Sequence, residues 1–214
     1  RYDAKNNSWT ALAPMSTRRS AADTVVIGTD IYVIGGHDGR DKHCSVEIFN
    51  TLTGTWSQGK AMQCRRSHFG ASALGKQIFI VGGTDGNNFL DFVERLDTET
   101  GKWKYVAPLL NRRAGHAVCA CKGYVFAIGG FDGSQHLTSV ERYDPETDTW
   151  SYMAPLPNPR CDLGVCVAGN NIYAVGGDDG GILEDVQRYD VHLNQWFVMT
   201  KMPEARSCTS VCVL

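Results

Sequence analysis

The chain has 214 residues, 43% of them hydrophobic and 10% aromatic, and a formal net charge of −2. This composition supports a packed core and excludes a disordered chain. The balance of charge removes any electrostatic demand for nucleic acid or an anionic membrane as partner, and no apolar run reaches the roughly 18 residues of a membrane span.

Taken in order, the chain is periodic. Residues 1–15 precede four complete units, 16–62, 63–109, 110–156 and 157–203, and residues 204–214 follow them. Glycine doublets end an apolar run in every unit: Gly35-Gly36 after DIYVI, Gly82-Gly83 after QIFIV, Gly129-Gly130 after YVFAI and Gly176-Gly177 after NIYAV, always 47 residues apart. Trp9, Trp56, Trp103, Trp150 and Trp196 keep the same beat with steps of 47, 47, 47 and 46, and so do Arg19, Arg66, Arg113, Arg160 and Arg206. Three registers in phase mark a repeat architecture, in which each unit covers apolar surface left by its neighbour.

Within the first unit, Ala21–Ile27 is small and β-branched, and Gly28-Thr29-Asp30 breaks it from the apolar run Ile31–Ile34. A polar loop, His37–Cys44, leads to Ser45–Phe49, and a short turn leads to Thr55–Ser57 around Trp56. Four short runs rich in Val, Ile, Tyr and Trp, divided by Gly, Asp and Asn clusters, predict four β-strands per unit. Two residues before each tryptophan stand Asn7, Gly54, Gly101, Asp148 and Asn194, the types that best tolerate a left-handed backbone, so a tight turn is predicted there. Four antiparallel strands in a repeated unit predict a radial β-propeller, its glycine-bearing second strand near the axis and its tryptophans between blades.

The eight cysteines include no CxxC pair, and Cys119, Cys166 and Cys212 fall where other repeats place Ser72 and Val25. They read as small core residues with reduced thiols, which predicts an intracellular, cytoplasmic setting. Glu47, Glu94 and Glu141, with Gln187 in the fourth unit, lie within a strand beside an apolar Val and read as buried acceptors holding a neighbouring loop.

The motifs GGHDG (35–39), GGTDG (82–86), GGFDG (129–133) and GGDDG (176–180), with SVEIF, FVERL, SVERY and DVQRY before the turns and the spaced tryptophans, resemble the Kelch repeat across essentially the whole chain. The style of blade, RYDPETDTWSYMAPLP, is most similar to the Kelch-like (BTB–Kelch) subgroup. That resemblance implies a six-bladed propeller that captures substrates for a cullin-based ubiquitin ligase, recruited through a BTB domain. No BTB or BACK segment is present here, and Arg1 falls inside a repeat, which predicts a piece of a longer protein. Residues 1–12 are expected to give the last two strands of a leading blade and 207–214 a first strand. A fragment of a six-bladed ring is preferred to a closed five-bladed one, and its open edges predict self-association.

The loops joining the second strand to the third, and each blade to the next, should share one face, and variable loops on a rigid scaffold are where binding resides. The residue after each doublet changes completely (His37, Thr84, Phe131, Asp178), and Lys42, Phe89 and His136 lie further along those loops. These are the candidate contacts for a protein or peptide ligand. Arg19, Arg66, Arg113, Arg160 and Arg206 open the first strand on the same face, and two roles fit them. They either bond loop carbonyls or an Asp of the GGxDG loop, or they form a ring that selects carboxylates, as the resemblance implies for acidic peptides. Ser20, Ser67 and Ser207 follow three of them and would donate to the same ligand. Actin-binding scaffolds share the resemblance and stand as the alternative. Histidines 37, 43, 68, 116, 136 and 192 share no common repeat position except the pair 68 and 116, offset by one, and no HExxH, GxSxG or P-loop is present, so no enzyme, cofactor or metal is expected.

Overall fold

The computed structural model describes residues 1–213, and among them there is no helix. After a hairpin of β1 (Tyr2–Asp3) and β2 (Ser8–Trp9) come four blades. They are β3 (Asp23–Ile27) to β6 (Thr55–Gln58), β7 (Gly70–Leu74) to β10 (Lys102–Val106), β11 (Ala117–Cys121) to β14 (Thr149–Met153), and β15 (Gly164–Ala168) to β18 (Gln195–Val198). Each blade is a four-stranded antiparallel sheet in sequence order. The first strands β3, β7, β11 and β15 lie side by side around the axis.

The second strands show why their sequences are apolar without alternation. In Gln77–Val81, Ile78 and Ile80 join a cluster with Ile34, Val46, Met62 and Phe69 of the first blade side. Phe79 and Val81 join Val118, Val125, Tyr143 and Trp150 on the other side. A strand buried on both faces shows no period of two. The tryptophans tie one blade to the linker behind it: the indole N–H groups of Trp56, Trp103 and Trp150 donate to the carbonyls of Ala13, Lys60 and Ala107 at 2.7–2.9 Å. Trp150 is only 6% exposed, whereas Trp9, on the leading hairpin, is 80% exposed.

All five residues expected to be left-handed before the tryptophans are so, with φ from 46° at Asn7 to 71° at Gly54. Which type stands there depends on the residue across the hairpin. Tyr2, Tyr143 and Tyr189 donate their hydroxyls to Asn7, Asp148 and Asn194 at 2.7–2.9 Å. Phe49 and Leu96 have no hydroxyl to satisfy, and opposite them the chain uses Gly54 and Gly101.

The glycine doublets and the repeating arginines prove to be two ends of one arrangement. The Arg66 Nη1 donates to the carbonyl of Gly82 in its own blade at 3.0 Å, while its backbone carbonyl accepts from Gly36 N–H of the preceding blade at 2.9 Å. The same pair of bonds recurs at Arg113 and Arg160. The approach leaves no room for a side chain: a Cβ on Gly82 would lie 2.7 Å from the Arg113 carbonyl, and one on Gly83 2.8 Å from that of Ser67, with φ of 57° and 96°. Each buried guanidinium also meets a strand carboxylate. Arg19 pairs with Glu47 at 3.0 Å, Arg66 with Glu94 at 2.5 Å and Arg113 with Glu141. Those carboxylates accept in turn from two successive linker N–H groups, Ser16 and Thr17, Gln63 and Cys64, Leu110 and Asn111.

The fourth blade departs from this for a legible reason. The position of Leu110 is taken by Pro157, which has no N–H, and the position of Glu141 is taken by Gln187. Arg160 keeps its glycine carbonyl but has only a looser ion pair with Asp185 at 3.5 Å. The predicted first strand over 207–214 does not form: residues 207–213 hold no strand, and Leu214 lies outside the described residues. A first strand pairs with the second strand of its own blade, and among the described residues none follows it. The segment keeps the course of a first strand all the same, with Val211 against Gly164. Among the described residues it shares no sheet with the leading hairpin.

The axial channel between the first strands has small residues at its wall in Ala71, Ala117 and Gly164, and a carboxylate in Asp23. Asp23 accepts the backbone N–H groups of Thr24 and Ala71, both at 2.7 Å. Burial pushes its carboxyl up to about 6, against those two bonds. His116, on the same channel, is held well below its ordinary range by burial and by Arg113, and stays neutral.

Two outcomes follow from this packing. Arg113→Met and Glu141→Gln should each lower the unfolding free energy by about 3–5 kcal/mol in urea titrations, because each strands a buried partner. Arg206→Met, whose guanidinium is 59% exposed and paired among the described residues only with Glu204, should cost under about 1 kcal/mol. The second concerns pH. A carboxyl raised from 3.8 to about 6 stabilises the fold below pH 3.8, and that contribution is lost as pH rises through 6. The stability of Asp23→Ser relative to the parent should therefore improve by about 1–2 kcal/mol between pH 4 and pH 7; a difference independent of pH would contradict the burial of this carboxyl.

Candidate functional site

At the loop face, each blade carries a small bridge of three extended segments. Ser20 pairs with His37 and His37 with Lys42, then Ser67 with Thr84 and Thr84 with Phe89. Ala114 pairs with Phe131 and Phe131 with His136, and Cys161 with Asp178 and Asp178 with Ile182. The backbone of these bridges is constant while the side chains of their second and third segments differ in every blade. The loop tips beyond are folded by their own aspartates. Asp38, Asp85 and Asp132 each accept two backbone N–H groups at 2.7–2.9 Å. Burial raises the Asp132 carboxyl, but the bonds from Gln135 and Ser134 outweigh it and hold it at about 2. These three aspartates of the GGxDG motifs therefore serve their own turns and are not the partners of the arginines.

The structure separates the two classes of candidate. His37, Thr84, Phe131, Asp178, Lys42, Phe89 and His136 are half-buried and come together on this face. The arginines do not join them. The side chains of Arg19, Arg66, Arg113 and Arg160 are 0–1% exposed, turned into the blades and committed to glycine carbonyls and carboxylates. A ring of guanidinium groups open to an acidic ligand is therefore not formed, and of the two roles that fit these residues the geometry supplies the structural one. Arg206 is exposed, but its partner is Glu204. Of the serines, Ser67 is buried with its hydroxyl 3.2 Å from His68 Nδ1, Ser20 is exposed and Ser207 half-buried.

A second set of positions, not singled out from the sequence, lines the axis itself. Ala21, His68, Gly115, Asp162 and Cys208 stand two residues after the repeating arginines, all with φ between 48° and 61°. Their backbones form a chain of bonds across the blades: Cys208 N–H to Asp162, Asp162 to Gly115, Gly115 to His68 and His68 to Ala21, at 2.7–3.0 Å. With N–H or carbonyl spent on the neighbour, only the side chain is free, and it is different in every blade. The signal in the sequence was this lack of any preferred type beside an invariant Arg; the left-handed backbone that makes it unusual for non-glycine residues was not visible.

Two cavities open on the face. One of about 340 Å³ lies on the axis, walled by Ser20, Ala21, His68, Gly115, Asp162 and Cys208 among others. The other, of about 460 Å³, lies to one side between Phe89, Phe131 and His136, and shares His68, Gly115 and Asp162 with the first. His68 stacks on His37 with ring centroids 5.9 Å apart. Burial lowers its pKa, Asp162 acts in the other direction, and His37 and Lys42 lower it further. Burial and the neighbouring Asp162 and Asp178 push the Cys161 thiol up to about 12, so it stays protonated and is no nucleophile. Among the described residues no group of three His, Cys, Asp or Glu side chains is placed to hold a metal ion.

Comparison with known proteins agrees with this geometry. The Kelch motif matches residues 18–63, 65–110, 112–157 and 159–203. Human Kelch-like protein 4 is 40% identical over 50 residues, 23% of this chain and 7% of that protein. Mouse Kelch-like protein 1 is 42% identical over 40 residues, covering 19% of this chain and 5% of that protein, and human Kelch-like protein 5 is 45% identical over the same length and shares. The matched stretches are thus a small part of these relatives. In fold, the structure of YjhT superposes with a TM-score of 0.79 at 14% identity, over 92% of this chain and 69% of that one. Four matched motifs in four four-stranded blades place the chain in the Kelch-repeat family, as a propeller resembling the Kelch-like proteins.

Proposed function

We propose that this propeller is the non-catalytic, substrate-recognition part of a cytoplasmic adaptor for a cullin-based ubiquitin ligase, and that it captures its client on the loop face. The observation that carries the protein-binding reading is the contrast within each blade. A constant frame of bridges and buried ion pairs presents side chains that differ in all four blades, around two connected cavities. A rigid frame carrying varied side chains is the arrangement of a recognition surface, since positions that serve the frame are held constant and those that serve a ligand are not. The resemblance to Kelch-like proteins supports the ligase assignment, with the cullin contact supplied by a BTB domain outside this chain.

The test uses the protein with its native flanking sequence. Immunoprecipitation should recover a cullin together with a client, and the loop-face change Lys42→Glu with Phe89→Ala should lose the client, by at least about tenfold in yield, while keeping the cullin. Recovery of neither cullin nor a client sensitive to these changes, together with sedimentation on actin filaments, would replace this reading with that of a cytoskeletal scaffold.

A further inference from the structure

The off-axis cavity has a chemistry of its own. Phe89 and Phe131 stand edge to face with centroids 5.7 Å apart, and His136 packs on Phe131 at 5.2 Å. Both phenylalanines are half-buried on a loop face where the first blade places His37 and Lys42 and the fourth Asp178 and Ile182. The fold therefore does not require aromatic rings at these positions. Ala114 stands where other blades have serine or cysteine, and the volume of about 460 Å³ lies in the range of roughly 300–1,000 Å³ typical of ligand sites. The loop tip is fitted to the ring beside it, since a Cβ on Gly133 would lie 2.9 Å from Phe89.

Charge around this apolar cavity is divided. On the side of the first two blades, the Lys42 side chain lies against Gly86 of the next loop. On the side of the fourth blade, Asp162 lines the cavity and Asp178 is bridged to Cys161, also in its wall. Neither aspartate has an ion-pair partner among the described residues, whereas Glu47, Glu94 and Glu141 each meet an arginine. Asp162 is also the better anchored, because its backbone N–H and carbonyl both belong to the axial chain of bonds.

We infer that the cavity seats the aromatic or long aliphatic side chain of an extended client segment, with a neighbouring lysine or arginine drawn to Asp162 and Asp178. This rests on the protein-binding reading above and gives it a ligand class: apolar-plus-basic rather than acidic. Anchoring a large side chain in such a pocket and pairing it with a fixed carboxylate is the usual composition of an interface hot spot.

A random linear-peptide display library selected on the immobilised propeller tests this, with synthetic copies of the enriched peptides measured by fluorescence anisotropy. The expected consensus is an aromatic or leucine residue beside Lys or Arg. Phe131→Ala or, independently, Phe89→Ala should weaken these peptides at least about tenfold. Asp162→Asn, which keeps a residue tolerant of the left-handed backbone, should weaken them about tenfold and leave peptides with Gln in place of the basic residue unchanged. An acidic consensus, or no enrichment, overturns the inference. Binders lost with Lys42→Glu but indifferent to both phenylalanine changes remove the pocket and leave loop-face recognition standing. Binders indifferent to every loop-face change remove both.

Discussion

The structure depends on a buried guanidinium that holds three things at once. Arg66 and Arg113 each join a glycine carbonyl at the end of the second strand, a carboxylate in the third strand, and, through their own backbone carbonyls, the glycine N–H of the preceding blade. A charge this deeply removed from water is tolerated only when paired and hydrogen-bonded, so the three elements constrain one another. The fourth blade shows the constraint at work. Once Pro157 takes away one linker N–H, the carboxylate at the neighbouring position becomes Gln187, and Arg160 turns to Asp185 instead.

This arrangement also decides what the loop face is made of. A ring of arginines near an axis suggests a site for acidic ligands, and the spacing of those residues is the same whether they face solvent or the blade. Their burial transfers the positive charge to the interior and leaves the face to His, Phe, Asp and Lys side chains on the bridges. Under the proposed function, the consequence is a recognition surface with a divided rim of charge and an aromatic pocket off the axis. A surface of that kind draws its affinity from apolar burial and its selectivity from single charges placed beside it.

Much of the architecture was legible in the chain. The common period of Gly, Trp and Arg implied the blades, and the choice of Asn, Asp or Gly before each tryptophan implied left-handed turns, which all five positions adopt. The glutamates were legible as acceptors for a neighbouring loop, because a charged residue recurring beside buried Val has few other roles. The strand expected after the last arginine did not form, since a strand needs a ladder partner that its own composition cannot supply.

Local patterns and their spacing therefore determined the repeat, the strand order within a blade and which loops share a face, because these follow from periodicity and turn chemistry within some 50 residues. Only the tertiary structure decided which way each arginine turns, which residues two places further on adopt a left-handed backbone around the axis, and where a cavity opens between loops of different blades. Those features arise from contacts between units 47 residues apart, where a one-residue pattern carries no sign of direction.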